Sequence, residues 1–345
     1  MIIDCHGHYT TAPKQLAAWR EDQIAAKGQR SAMARPDGPL ITDDEIRETL
    51  LGAQIPVQRE RGIDLTIFSP RAAAMGQHVG DEAMSMQWSR ICNDLIGRVA
   101  TLFPQDYAPV CQLPQSPGCP PAHVIPELRR CVEELGFVGC NLNPDPAGGY
   151  WTDPPMTDEW WFPVYEVLEE LDVPAMIHVS GSCNPNFQYS GAHYINGDTS
   201  VFMQILDSDL FDRFPRLRLI IPHGGGAVPF HWGRYRGLAI DRNRREPAEM
   251  MGDNLFFDTC VYHQPGIDLM TGVVPVRNVL FASETFGAVR SVDPETGVPF
   301  DHTRRYIDNS PHLDAADRQA IYAGNTLRVF PRLAARLAEQ DRIPA

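Results

Sequence analysis

The chain has 345 residues, enough for one large α/β barrel or two ordinary domains, and its 43% hydrophobic content is ample for a core. A formal charge of −14 argues against nucleic acid or an anionic membrane surface as a partner, since both need a broad basic face, yet it leaves room for a small anion held by a local arginine cluster. No apolar stretch approaches the roughly 18 residues of a membrane span and no leader pattern opens the chain, so a soluble, cytoplasmic protein is expected.

In chain order, the first element is the apolar run 1–5 (MIIDC), which leads into "HGH". On a strand, residues two apart share a face, so His6 and His8 project side by side from one strand end, as two ligands of one metal ion do. Standing alone, the pair reads as readily as a chance surface feature. Thr42 and Glu45 form a capping box ahead of a helix in which Pro56 must produce a kink or an end. Further strand runs follow at 64–69, 107–112, 137–142, 174–179, 218–222, 254–259 and 278–283. Between them, "HVIPELRRCVEELG" reads as a helix capped at Gly136, and "DEWWFPVYEVLEELDV" as an amphipathic helix with an early break at Pro163. The Pro- and Gly-rich stretches 144–157 and 181–198 read as long loops after the fourth and fifth runs, and the end of the chain as two short helices broken at Gly324 and Asn325.

Eight apolar runs alternating with helical segments fit a closed parallel barrel, an α/β fold of the (β/α)8 class, distorted by long strand-end loops and spanning residues 1–345 as one domain. The cysteines at 5, 92, 111, 119, 131, 140, 183 and 260 form no CxxC pair and read as reduced, mostly buried thiols.

A barrel of this class carries its chemistry at the C-terminal strand ends. Here those ends present His6 and His8, Ser69 and Arg71, Asn141 and Asn143, His178, His223, Asp258 and Glu284. Taken singly, His178 and His223 read equally well as packed histidines, and the glycines after His223 as parts of a tight turn. Glu284 is harder to explain that way, because a carboxylate closing an apolar strand is costly to bury without a positive partner. Three imidazoles and a carboxylate suit zinc with one open position for water, so His6, His8, His178 and Glu284 are the expected metal ligands. His223 is placed beside the metal as a proton carrier. His231 and His263 are second candidates, but neither closes a strand.

The order H-x-H on strand one, histidine on strand five, "HGG" on strand six and an acid on strand eight, with "GNTLRVF" near the end, resembles the amidohydrolase superfamily in its branch of barrel decarboxylases and hydratases. Two departures from the common pattern stand out: Glu284 replaces the usual aspartate, and no lysine ends strand four, which argues against a bridged two-metal site. Within that branch the likeness is to a hydratase, and it implies a lyase that adds water reversibly across a carbon–carbon double bond of a small tricarboxylic keto acid in protocatechuate 4,5-cleavage, a route of lignin-aromatic breakdown. It further implies one zinc per chain, with manganese as the alternative, Glu284 and His223 as acid/base residues, and a homo-oligomer. A trianion needs compensating charge, and guanidinium pairs bidentately with carboxylate, so Arg71, Arg234 and Arg290, just after strands two, six and eight, are expected to bind substrate. Tyr194 is expected to donate to a substrate oxygen. Two rivals stay open: a metal-dependent decarboxylase of a β-keto or aromatic acid, and a non-catalytic metal-dependent binding protein.

Overall fold

The computed structural model describes residues 1–25, 38–71 and 76–344. Nine short strands form, β1 (Ile3–His8), β2 (Leu65–Ser69), β3 (Tyr107–Pro109), β4 (Cys111–Gln112), β5 (Cys140–Leu142), β6 (Ala175–Ile177), β7 (Leu219–Ile221), β8 (Leu255–Asp258) and β9 (Val279–Leu280). Neighbours pair in parallel in two arcs, β1 to β3 and β4 to β9. β3 and β4 are the halves of the single run expected over 107–112. Pro109 divides them because it has no N–H to give the ladder. Its carbonyl still accepts from the Val138 N–H at 2.9 Å, and the Val110 N–H reaches the Phe68 carbonyl at 2.9 Å, so the arcs stay joined. On the far side, the Cys5 N–H donates to the Phe281 carbonyl (2.9 Å) and the Glu284 N–H to the His6 carbonyl (3.0 Å). These bonds complete the ring of a distorted (β/α)8 barrel.

Alternation along the strands decides what points inward. Ile3, Cys5, Ile67, Met176, Ile220, Phe256, Leu280 and Ala282 pack together inside the ring, with Phe330, Leu333 and Leu337 joining that cluster. The residues between them, such as Leu219, Ile221, Leu255 and Phe257, belong to the larger cluster shared with the helices. Continued past the strand ends, the alternation carries His178, Asp258 and Glu284 to the inward face. β1 needs one residue of offset to bring both Cys5 and His6 inward, and a register irregularity between Asp4 and Gly7 supplies it. The Asp4 carboxylate accepts from the His6 N–H at 3.0 Å and the Ser283 N–H at 3.1 Å, which pins this bulge to the last strand. A Cβ at Gly7 would lie 2.2 Å from Thr66 Cγ2, so only glycine lets β1 and β2 approach so closely there.

The capping box at Thr42 and Glu45 forms as expected. Pro56, however, does not end its helix. A π turn over Leu50–Gln54 precedes it, and the helix resumes over Ile55–Glu60 with the proline in the first turn of the new segment. Pro163 likewise opens the helix Phe162–Leu171 after the short turn Glu159–Trp161. Gly136 closes its segment with φ +70°. The break expected at Gly324 and Asn325 is absent: Ala315–Gln319, a π turn over Ala320–Gly324 and Asn325–Val329 run on, and the break falls before the helix Pro331–Glu339. Asn325 has a structural task, donating to the Val276 and Val279 carbonyls at 2.8 Å each. Residues 144–157 form an irregular loop, whereas 181–198 is only partly loop, because the helix Gly191–Leu206 begins inside it. All eight cysteines are free. No helix among the described residues is long and apolar enough to cross a membrane.

Candidate active site

At the C-terminal mouth of the ring, the Nε2 atoms of His6, His8 and His178 converge. His6 and His8 are separated by 3.0 Å, His6 and His178 by 3.2 Å, and His8 and His178 by 2.9 Å. Their orientation is set from behind. His6 Nδ1 meets Asp258 Oδ2 at 2.8 Å, and His8 Nδ1 meets Ser69 Oγ at 2.7 Å. With protons on those Nδ1 atoms, the lone pairs of His6 and His8 are aimed at the common centre. Burial, with the neighbouring imidazole charges next, pushes the pKa of His8 and of His178 well down, so both are neutral as metal ligands must be. Nitrogens held about 2.0–2.1 Å from a tetrahedral zinc stand about 3.3 Å apart, so this triangle fits a metal ion. Asp258 and Cys260 also lie near His6, but on its Nδ1 side, behind the cluster.

The other expected site residues are placed unequally. Glu284 is buried and lines the cavity over the histidines, yet its carboxylate is not among the atoms clustered with them. Its Oε2 accepts from the Tyr262 hydroxyl at 2.9 Å, and its backbone takes φ +50°. The turn that holds it is braced by Asp301, which accepts from the Phe286 N–H at 3.1 Å and pairs with buried Arg61 at 2.7 Å. His223 follows β7 on a run of left-handed residues, with φ of 54°, 66°, 77° and 65° at positions 223 to 226. Glycine at 225 is obligatory on two counts, since a Cβ there would also lie 2.5 Å from the Phe257 ring. His223 Nδ1 meets Asp198 Oδ2 at 2.8 Å, while Tyr194 stacks on the imidazole at 4.4 Å. Burial opposes a charge on His223, but Asp198 outweighs it and the pKa is pushed up to about 9. Burial in turn raises Asp198 to about 6.

A cavity of about 380 Å³ opens over these groups, lined by His8, His178, His223, Glu284 and Tyr194, with Arg71 and Arg290 exposed at its rim. Arg234 does not join them. It is exposed on the helix Trp232–Asp241 and is not among the residues lining the cavity. His231 and His263 also stay outside the lining. Asn143 spends its side chain on Gln77 and Ser180. Sequence reasoning missed Asp198 and Tyr262, which sit on a helix and a connecting turn where no motif marks them.

A family model described as amidohydrolase matches residues 3–332. The chain belongs to the amidohydrolase family. Among relatives, this amidohydrolase is 57% identical over 339 residues to a 2-keto-4-carboxy-3-hexenedioate hydratase of Sphingobium sp. SYK-6, with 98% of each chain covered. It is 27% identical to a gamma-resorcylate decarboxylase of Polaromonas sp. JS666, covering 83% of this chain and 90% of the relative. Among solved structures, a 4-oxalomesaconate hydratase of Rhodopseudomonas palustris is 52% identical and superposes with a TM-score of 0.92 over 99% of both chains.

Proposed function

We propose that this amidohydrolase is a zinc-dependent hydro-lyase. It adds water reversibly to the C3=C4 double bond of 4-oxalomesaconate, also described as 2-keto-4-carboxy-3-hexenedioate, and forms 4-carboxy-4-hydroxy-2-oxoadipate in protocatechuate 4,5-cleavage. The observation that carries this reading is the full-length likeness to two hydratases, at 57% and 52% identity. Residues 1–345 are read as one catalytic domain acting in the cytoplasm, a location to which eight free thiols are suited.

His6, His8 and His178 hold the metal, and the all-nitrogen donor set favours zinc over harder cations. When bound, zinc acts as a Lewis acid that makes water a nucleophile near neutral pH, lowering its pKa to about 7. In the hydration direction a water oxygen adds at C4, the C2 ketone takes up electron density as an enolate, and Glu284 delivers a proton to C3. Glu284, also the expected fourth ligand, is assigned this role because its carboxylate faces the cavity beside the histidines, held by Tyr262. His223, oriented by Asp198 and held charged at neutral pH, gives its proton to the leaving hydroxyl in the dehydration direction, and in hydration its neutral form takes the proton released by the adding water. Arg71 and Arg290 meet substrate carboxylates at the rim, and Tyr194 donates to a substrate oxygen.

The likeness to a gamma-resorcylate decarboxylase keeps one rival in view. Metal-loaded protein incubated with 4-carboxy-4-hydroxy-2-oxoadipate should develop the ultraviolet absorbance of a conjugated enone without releasing carbon dioxide. Release of carbon dioxide from a keto or aromatic acid, with no enone formed, rejects the hydratase reading.

A further inference from the structure

A substrate with three carboxylates suits several guanidinium partners, and the cavity over the histidines presents two, Arg71 and Arg290. A second cavity, of about 160 Å³, lies against the first, and Thr10 and Arg71 line both. Its walls are apolar, from Trp19, Trp88 and Leu95 among others, with one further cation, Arg20. The Arg20 guanidinium lies over the Trp88 ring at 5.1 Å, which fixes its plane. Its Nε is buried and has no hydrogen-bond partner. Among the described residues neither Arg20 nor Arg71 has a carboxylate within 4.0 Å, although Glu21 also lines the second cavity.

Two guanidiniums lining one largely apolar cavity repel each other, and the unpaired, buried Nε of Arg20 carries a desolvation cost. Burial lowers the Arg20 pKa, and the Arg71 charge is among the further causes. An anion at this place removes both penalties, because a carboxylate can take bidentate bonds from a planar guanidinium fork such as that of Arg20 over Trp88.

We propose that Arg20 is a substrate-binding residue that shares with Arg71 the seat for one carboxylate arm, and that this seat lets the enzyme select tricarboxylic over dicarboxylic keto acids. The inference rests on the hydratase reading for the identity of the acid. It does not depend on that reading for the binding chemistry.

The test therefore reads binding apart from turnover. Butane-1,2,4-tricarboxylate has the carbon skeleton of the substrate without the ketone or the double bond. Adipate lacks its branch carboxylate, and 2-methylglutarate and 2-ethylsuccinate each lack one of its two terminal carboxylates. Titration calorimetry on metal-loaded protein should show Arg20→Met weakening the tricarboxylate at least tenfold while one of the three diacids changes by less than twofold. Methionine keeps the stem against Trp88, and Arg20→Lys, which keeps the charge without the fork, should fall between the two. Turnover should show the same pattern, KM rising and kcat moving by less than threefold.

Equal weakening of all four acids, no weakening of the tricarboxylate, or failure of the unaltered protein to bind the tricarboxylate overturns the proposal. If unaltered protein binds as described and hydrates nothing, the hydratase reading falls while the Arg20 seat stands.

Discussion

Glu284 is long enough to reach past the position where a shorter acid would stop, and Tyr262 holds its far oxygen at 2.9 Å. Glutamine keeps that shape and loses the exchangeable proton. Glu284→Gln should lower kcat at least about 100-fold with metal still bound, in line with general acid/base contributions. In deuterium oxide, exchange at C3 of the hydroxy acid should vanish as well; exchange at the unaltered rate would transfer the role to His223. At the rim, Arg71→Ala and Arg290→Ala should each lower kcat/KM roughly tenfold or more with little change in thermal stability, as expected for charged hydrogen bonds to substrate. Unchanged kinetics in both would remove these arginines from the site. His6, His8, His178, His223 and Glu284 could be picked out of the sequence because strand-end positions marked them. Asp198, Tyr262 and Arg20 could not, since each reaches the site from a helix or turn whose pattern reads only as packing.

Among the elements, the turn after β7 shows how backbone strain serves position. Four successive left-handed residues swing His223 back over the barrel mouth, and the Gly224 N–H is tied to Asp258 Oδ1 at 3.1 Å. Gly225→Ala adds a Cβ at 2.5 Å from the Phe257 ring on a backbone with φ +77°. Strain and overpacking should each cost about 1–3 kcal/mol, seen as a lower midpoint in urea. An unchanged midpoint would mean that the turn has another conformation open to it.

The helices Glu82–Leu102 and Ile125–Arg129 are joined by buried Glu127, which accepts from Asn93 at 2.9 Å and from Arg130 at 2.8 Å. Burial alone would raise the Glu127 pKa, but the Arg130 guanidinium and the Asn93 amide bring it below its ordinary 4.5. A depressed carboxylate stabilises above its unfolded pKa and loses that contribution as pH falls. The stability gap between the unaltered protein and Glu127→Gln should therefore be full near about pH 6 and shrink toward about pH 3 in urea titrations. A gap constant with pH would show that the carboxylate charge is not what joins the helices. The sequence showed the helix that carries Glu127 and the cap at Thr42, but not the helix Glu82–Leu102 or the π turn before Pro56, because a period of 3.6 does not reveal where one extra residue is absorbed.

For the molecule as a whole, the histidines proposed to hold the metal span the ring, two from β1 and one from the end of β6. Bound metal should therefore cross-link the barrel. Chelation with dipicolinate should lower Tm by several degrees, and returned zinc should restore it, since a site filled at 1,000 times Kd adds about 4 kcal/mol. The double variant His6→Ala with His8→Ala should bind no metal in elemental analysis and should show no such shift. Retention of one equivalent would remove the histidines from the metal site. The barrel itself was legible from eight apolar runs, while its closure and the division at Pro109 rest on single backbone bonds that no hydrophobic pattern records.

The way the ring closes also bears on how the protein is made. A ribosome releases β1 first, and its β2 edge finds a partner early. The other edge waits for Phe281 and Glu284, which receive the Cys5 N–H and approach the His6 carbonyl. Asp4 meets Ser283 only then, so the bulge that turns His6 and His8 inward is secured by residues translated near the end. The nascent chain thus carries two imidazoles on an unfinished strand throughout most of its synthesis. If these histidines hold the metal as proposed, its loading is expected only after translation has delivered the last strand.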